Sequence, residues 1–223
     1  MAPRLSVAPG VCGGVPSNAR TGEGIRQALV DLSLPPVRIP RQPSLRLGQL
    51  PKKRVALLDA TDAYPKKELK KWRRHIILEK PVITVVVDEV GSSKGAEIEA
   101  RFHSEAEQQV REGFTLLHGK EGDMALIPVV EGKFAFRPDS HHYLAFQKQA
   151  SFQRIPYNGT VLHAASGNTI IAHIILPVKD EAEAAQVVKS SRRSGNFTLS
   201  CEYRGKKYEY RFRKDAEGLV LEK

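Results

Sequence analysis

Apolar residues in this chain recur at every second position or in short unbroken runs, the pattern of strands rather than helices. It predicts strands over residues 55–58, 75–78, 82–90, 97–102, 113–117, 124–130 and 133–136, and a buried one over 169–176. Residues 197–203 and 207–212 alternate across Arg204-Gly205-Lys206, which predicts a hairpin. Gly91, Gly95, Gly113, Gly119, Gly122 and Gly132 fall between the earlier strands, where turns need them. Short strands at such spacing predict a mainly β fold, an antiparallel barrel or sandwich with a few short helices. One helix is expected after Asp180, from Glu181 to about Lys189. Another is expected over 65–74, led by Asp62 and Pro65, with Leu69 and Trp72 as its narrow apolar stripe.

Punctuation divides the chain into three stretches. Residues 1–54 read as a basic Pro/Gly-rich arm without a core of its own, broken by Pro35, Pro36, Pro40, Pro43 and Pro51. Inside it a short helix over 24–32 and a strand over 37–39 are possible, and residues 1–22, free of acids, also read as a transit peptide. Residues 55–155 read as the β-barrel domain and 156–223 as an α+β extension. The net charge is +10, yet residues 1–58 hold nine Lys/Arg against two acids, so most of the excess sits in the arm. A basic arm suits a polyanion, whose counterions it would release.

Known chemical signatures are absent. The two cysteines, Cys12 and Cys201, exclude a disulfide scaffold and a zinc module, and no apolar run approaches the roughly 20 residues of a membrane-spanning helix. No phosphate-cradling loop, dinucleotide fingerprint or nucleophile elbow occurs. His141-His142 face opposite ways if on a strand, His173 reads as a core histidine, Cys201 as a small buried hydrophobe, and Asp88-Glu89 as solvated charges. No catalytic, cofactor or metal site is therefore expected; the chain is expected to work by binding and not as an enzyme. Two basic clusters remain as candidates for phosphate or protein contact: Lys66, Lys67, Lys70, Lys71, Arg73 and Arg74, and then Arg204, Lys206 and Lys207 with interleaved tyrosines.

From Trp72 to Pro138 the order of features resembles the N-terminal domain of the large (alpha) subunit of general transcription initiation factor IIF. The residues that carry it are Lys70-Lys71-Trp72-Arg73-Arg74, the strand 75–78, Val85-Val86-Val87-Asp88-Glu89-Val90-Gly91-Ser92-Ser93-Lys94-Gly95, Gly113-Phe114-Thr115-Leu116-Leu117, Pro128-Val129 and Phe134-Ala135-Phe136-Arg137-Pro138. Ala135 stands where that family usually has Asn, and its acidic middle and winged helix have no counterpart here. The resemblance implies a triple-barrel heterodimer with a small subunit of the same factor, bound to RNA polymerase II in the nucleus near promoter DNA. Val85, Val87, Phe114, Leu116, Phe134 and Phe136 would then form the dimer interface. Two alternatives stay open: a structural protein of a mitochondrial ribosome or other ribonucleoprotein, with the arm on RNA, and an assembly subunit whose arm clamps a neighbouring protein.

Overall fold

A strand that is apolar on both faces needs a covering layer on each side, and this chain supplies both layers itself. The computed structural model describes residues 4–7, 44–50, 53–63, 69–143, 153–195 and 197–222. The first half contributes β1 (Arg4–Val7), β2 (Ser44–Leu50), β3 (Lys53–Asp59), a 3-10 turn (Thr61–Ala63), β4 (Leu69–Glu79), β5 (Ile83–Ser92), β6 (Ala96–His103) and β7 (Glu107–Arg111). Then follow β8 (Phe114–Gly119), β9 (Gly122–Val130), β10 (Phe134–Tyr143), β11 (Gln153–Ala164) and β12 (Gly167–Val178). The chain finishes with helix α1 (Glu181–Ser190), β13 (Arg192–Ser194), β14 (Thr198–Tyr203), β15 (Lys206–Lys214) and β16 (Leu219–Leu221).

These strands form three open sheets. The central sheet has the order β2-β3-β4-β5-β12-β9-β8-β7 and is flanked by an outer sheet, β1-β6-β11-β10, and a C-terminal sheet, β13-β14-β15-β16. Among the described residues every pairing is antiparallel except β1 with β6. The fold is thus mainly β, as the alternation predicts, and layered as a sandwich with no closed barrel among the described residues.

On one face of the central sheet, Ile77, Val85, Val87, Ile127, Ala172 and Ile174 pack against Phe197, Leu199, Tyr210 and Phe212 of the C-terminal sheet. Ala184 and Val187 of α1 join that core. On the opposite face, Trp72, Val90 and Ile171 meet Ala96, Ile98, Ala100 and Leu162 of the outer sheet. Burying a Val, Leu or Ile side chain is worth roughly 1.5–3 kcal/mol, so the two cores supply the main cohesion. Helix α1 begins as the sequence indicates. Asp180 caps it by accepting from the Glu183 amide at 2.8 Å, while the Glu183 carboxylate accepts from the Lys179 amide at 2.7 Å. The hairpin of β14 and β15 turns on Arg204-Gly205, whose φ values of 50° and 69° give the left-handed turn that matches strand twist.

Four expectations are corrected. The helix over 65–74 is a strand from Leu69 onward, because β4 alternates: Trp72, Arg74 and Ile76 face the outer sheet, Arg73, His75 and Ile77 the C-terminal one. Asp88 and Glu89 are not solvated but buried, Asp88 at 0 % and Glu89 at 1 % exposure. The boundary at residue 156 falls inside β11, and β12 is hydrogen-bonded between β5 and β9, so 156–178 share both ladders with the preceding stretch. Val85, Val87, Phe114 and Leu116 lie in the chain's own core and are not available as a dimer interface. The helix over 24–32, the strand over 37–39, the transit-peptide reading and Cys12 lie outside the described residues.

Asp88 is the ion at the centre of the inner layer. Arg74 donates to it twice, at 2.7 and 2.8 Å, and Trp72 Nε1 donates at 3.2 Å. Replacing Arg74 with Leu strands a buried carboxylate and should cost about 3–5 kcal/mol in urea unfolding, whereas the double variant Arg74→Leu/Asp88→Leu should recover most of that loss. Equal destabilisation by the single and double variants would contradict this role.

Candidate functional site

The basic residues singled out from the sequence do not form one surface. Lys66 and Lys67 lie outside the described residues. Lys70 is exposed, Lys71 is half-buried on Glu89 at 3.2 Å, and Arg73 and Arg74 are buried at 4 % and 6 % exposure, so neither can meet a phosphate backbone. At the β14–β15 end, Arg204 pairs with Glu183 at 3.0 Å, Lys206 with Glu79 at 3.4 Å and Lys207 with Glu209 at 3.2 Å. These three are exposed and paired within the chain. Phe134 and Phe136 are half-buried on β10, an edge strand, with their rings 5.3 Å apart and edge-to-face.

The richest collection of reactive side chains is on the side of the outer sheet turned away from the central sheet, where Glu99 and Tyr157 are buried and Arg101, His103 and Arg137 half-buried. Strands β6, β11 and β10 stand in register, and the residues alternating away from the core are Glu97, Glu99, Arg101 and His103 on β6, Tyr157, Gly159, Val161 and His163 on β11, and Ala135, Arg137 and Asp139 on β10. Two rungs are notable: Arg101–Gly159–Arg137, and beside it His103–Tyr157–Asp139. Gly159 has no side chain between the two arginines, and a Cβ there would lie 2.4 Å from Glu99 Oε1.

The geometry is tightly coupled. Arg101 donates to Glu99 at 2.7 Å and Arg137 to Glu97 at 2.9 Å, with Arg137 also 3.5 Å from Glu99. The Arg101 guanidinium lies 4.6 Å over the Tyr157 ring, and the His103 ring is 5.4 Å from it. Tyr157 donates its hydroxyl to Asp139 at 3.4 Å. Burial first, and then the charge of Glu99, push the Tyr157 phenol above its ordinary range, so it holds its proton at neutral pH. The Arg137 guanidinium is pushed up as well, chiefly by its hydrogen bond to Glu97. Glu99 Oε1 and Arg101 Nε are buried and have no hydrogen-bond partner. Such an array holds a protonated phenol, two imidazoles and two guanidiniums on one face. It can steady a carboxylate or sulfate with the arginines while phenol and imidazole exchange protons with the bound molecule.

None of these residues is a candidate site residue on the sequence alone, although Ala135 and Arg137 fall within the stretch that carries the family resemblance. Arg101 and His103 are two apart in and just after a predicted strand, but Arg137 and Tyr157 come from strands distant in sequence, and only the register brings them together. Of the histidines that were considered, His141 and His142 have side chains outside the described residues. His173 is wholly buried, as expected, with Nε2 2.9 Å from Thr160 Oγ1. Cys201 is buried too, its thiol pushed up to about 11 by burial. Among the described residues no group of three His, Cys, Asp or Glu is arranged to hold a metal ion.

No family model matches the sequence, and no curated protein matches it. Solved structures do match by shape. A heparinase III superimposes with a TM-score of 0.54 at 17 % identity, over 75 % of this chain and 27 % of that one. A second heparinase III structure gives 0.56 at 12 % identity, over 75 % and 26 %. The heparan sulfate lyase HepC from Pedobacter heparinus gives 0.56 at 11 % identity, over 80 % and 27 %. The likeness is one of fold. This chain spans about a quarter of each lyase. The expectation of a chain outside enzymes is corrected to this extent: the solved structures named here that share its layered β fold are lyases. An array assembled across three strands leaves no contiguous motif in the sequence.

His75 and His173 make stability pH-dependent. Burial first, and then the nearby cations Arg73 and Arg74, hold His75 down at about 4 and His173 at about 3, against 6.5 for a free side chain. Between those values the unfolded chain binds more protons than the folded one, so stability is full above the unfolded pKa and falls as the pH drops through it. Each group should contribute a slope of about 1.4 kcal/mol per pH unit in that window. Urea midpoints taken from neutral pH down to about 4 should show the decline, and His173→Gln, which keeps a hydrogen-bonding group against Thr160, should remove about half of it. An unchanged slope in that variant would count against a neutral His173.

Proposed function

We propose that the chain is the β-sheet unit of an enzyme acting on an anionic polysaccharide, with the outward side of the outer sheet turned toward the sugar. The observation that carries this reading is the pair of adjacent rungs, Arg101–Gly159–Arg137 and His103–Tyr157–Asp139. The first offers two cations, Arg101 and Arg137, on either side of the Glu99 carboxylate that the bare Gly159 admits, and an acidic sugar would compete with that carboxylate for them. The second offers a phenol that keeps its proton and an imidazole beside it, the general acid and base that an elimination requires. The orphaned atoms Glu99 Oε1 and Arg101 Nε are the polar groups that a sugar hydroxyl and an anionic oxygen would satisfy. The fold likeness to heparinase III and to a heparan sulfate lyase supports the same substrate class. The basic N-terminal stretch, with nine Lys/Arg against two acids in residues 1–58, would add non-specific attraction to the polyanion.

The experiment is binding of the full chain to immobilised heparan sulfate over a salt gradient. Retention is expected, and Arg101→Gln with Arg137→Gln should weaken affinity about tenfold or more, as expected for losing charge-assisted hydrogen bonds. Tyr157→Phe should leave retention intact while lowering turnover wherever turnover is measurable, read as the ultraviolet absorbance of an unsaturated sugar product. Flow-through of the wild-type chain at low salt, or identical elution of the double arginine variant, would refute this assignment.

A further inference from the structure

Two cavities adjoin on the opposite side of the central sheet, where β2 and β16 are the outermost strands. Alternate residues of β2, β3 and β4 line both, and the segment from Glu217 to Leu221 completes each wall. The larger, about 510 Å3, is charged: Arg46, Lys71 and Arg73 face Asp59, Asp62 and Glu217. The smaller, about 230 Å3, is apolar, with Leu50, Val55, Leu57, Leu219 and Leu221 around His75.

Most of the charges in the larger cavity have partners. Arg46 meets Glu217 at 3.4 Å, and Lys71 meets Glu89 at 3.2 Å. Arg73, 4 % exposed, donates Nη1 to the Glu217 carbonyl, yet its Nε has no acceptor: the Asp59 carboxylate is 3.8 Å away, beyond hydrogen-bond reach. In the smaller cavity His75, 2 % exposed, has an Nε2 without a partner. A guanidinium nitrogen can only donate, and leaving it dry and unpaired is costly. The unmet demand at the charged end is thus for an acceptor oxygen. Beyond it lies largely apolar volume, with His75 Nε2 as its buried, unpaired polar atom.

We propose that this slot binds a small amphiphile, with an anionic head group on Arg73 and a short aliphatic tail among Leu50, Val55, Leu57 and Leu221. The two volumes together fall in the range of small-molecule sites, and apolar walls with few convergent polar groups are their usual make-up. The site is on the other face of the molecule from the proposed saccharide surface and does not depend on it.

Gly48 gives a clean handle. It lies on the wall of the apolar cavity, its backbone is not left-handed, and a Cβ there would meet nothing nearer than Val55 Cβ at 4.0 Å. Calorimetric titration with sodium octanoate should show saturable binding, and with 1-octanol, which lacks the anion, binding at least about tenfold weaker. Gly48→Leu, filling the tail end, should weaken octanoate about tenfold at unchanged thermal stability; Leu221→Gln, on the last strand, tests the same end independently should Gly48→Leu misfold. Absence of saturable octanoate binding, equal affinity for octanol, or wild-type affinity in the folded variants would overturn the assignment.

Discussion

Two adjacent acids on one strand fix the register at the centre of the inner sheet, one on each of its faces. Consecutive residues of β5 point to opposite faces of the central sheet, so Asp88 is directed at the outer sheet and Glu89 at the C-terminal one. Asp88 takes the Arg74 fork and the Trp72 indole nitrogen. Glu89 takes the Lys71 ammonium and, at 3.1 Å, the backbone amide of Leu219 on β16. Every cation involved comes from β4, the neighbouring strand. A buried carboxylate without such a partner is costly enough to dominate the choice of register, so the β4–β5 alignment is fixed by charge as well as by apolar pattern. Gly218 shows how closely the C-terminal sheet is drawn in: at φ 139° it can follow a path that other residues rarely adopt, and a Cβ there would lie 2.2 Å from Glu89 Oε2.

That arrangement explains which parts of the fold are legible in the sequence. Period-two alternation and glycine punctuation report a local property, the extended backbone, and they mark β5, β9, β12 and the β14–β15 hairpin closely. The capped helix after Asp180 is equally local. The segment Leu69-Lys70-Lys71-Trp72-Arg73-Arg74 misleads because its charge density suits the solvent side of a helix, and nothing local shows that Asp88 and Glu89 will neutralise it from the next strand. The covering of the apolar strands is hard to read from the sequence for a related reason. Alternation shows that two faces want covering, but it does not show that β6, β10 and β11 will cover one and residues 197–219 the other.

The reactive array on the outer sheet was hidden by the same limit. Tyr157 and Arg101 are 56 positions apart in the chain but their side chains are in contact because β6 and β11 pair antiparallel. A polar residue on a strand carries no local mark of what lies across the ladder. The apolar flank at β2 and β3 is similar: its cavity is made by residues that read individually as ordinary strand positions, and its depth comes from Gly48 and from the approach of the chain end.

The position of β12 has a consequence for the order in which the molecule can be completed. It is the fifth of eight strands across the central sheet, yet it is made after β9, β10 and β11. Until residues 167–178 leave the ribosome, β5 and β9 have no neighbour on their inner sides, and two apolar strand edges are open to whatever is near. Closing the sheet is therefore a late, long-range event, of the sort that slows folding relative to hairpins. A nascent chain halted between β9 and β12 would expose sticky edges in the middle of its sheet, which makes that interval of synthesis the one in which chaperone protection counts most.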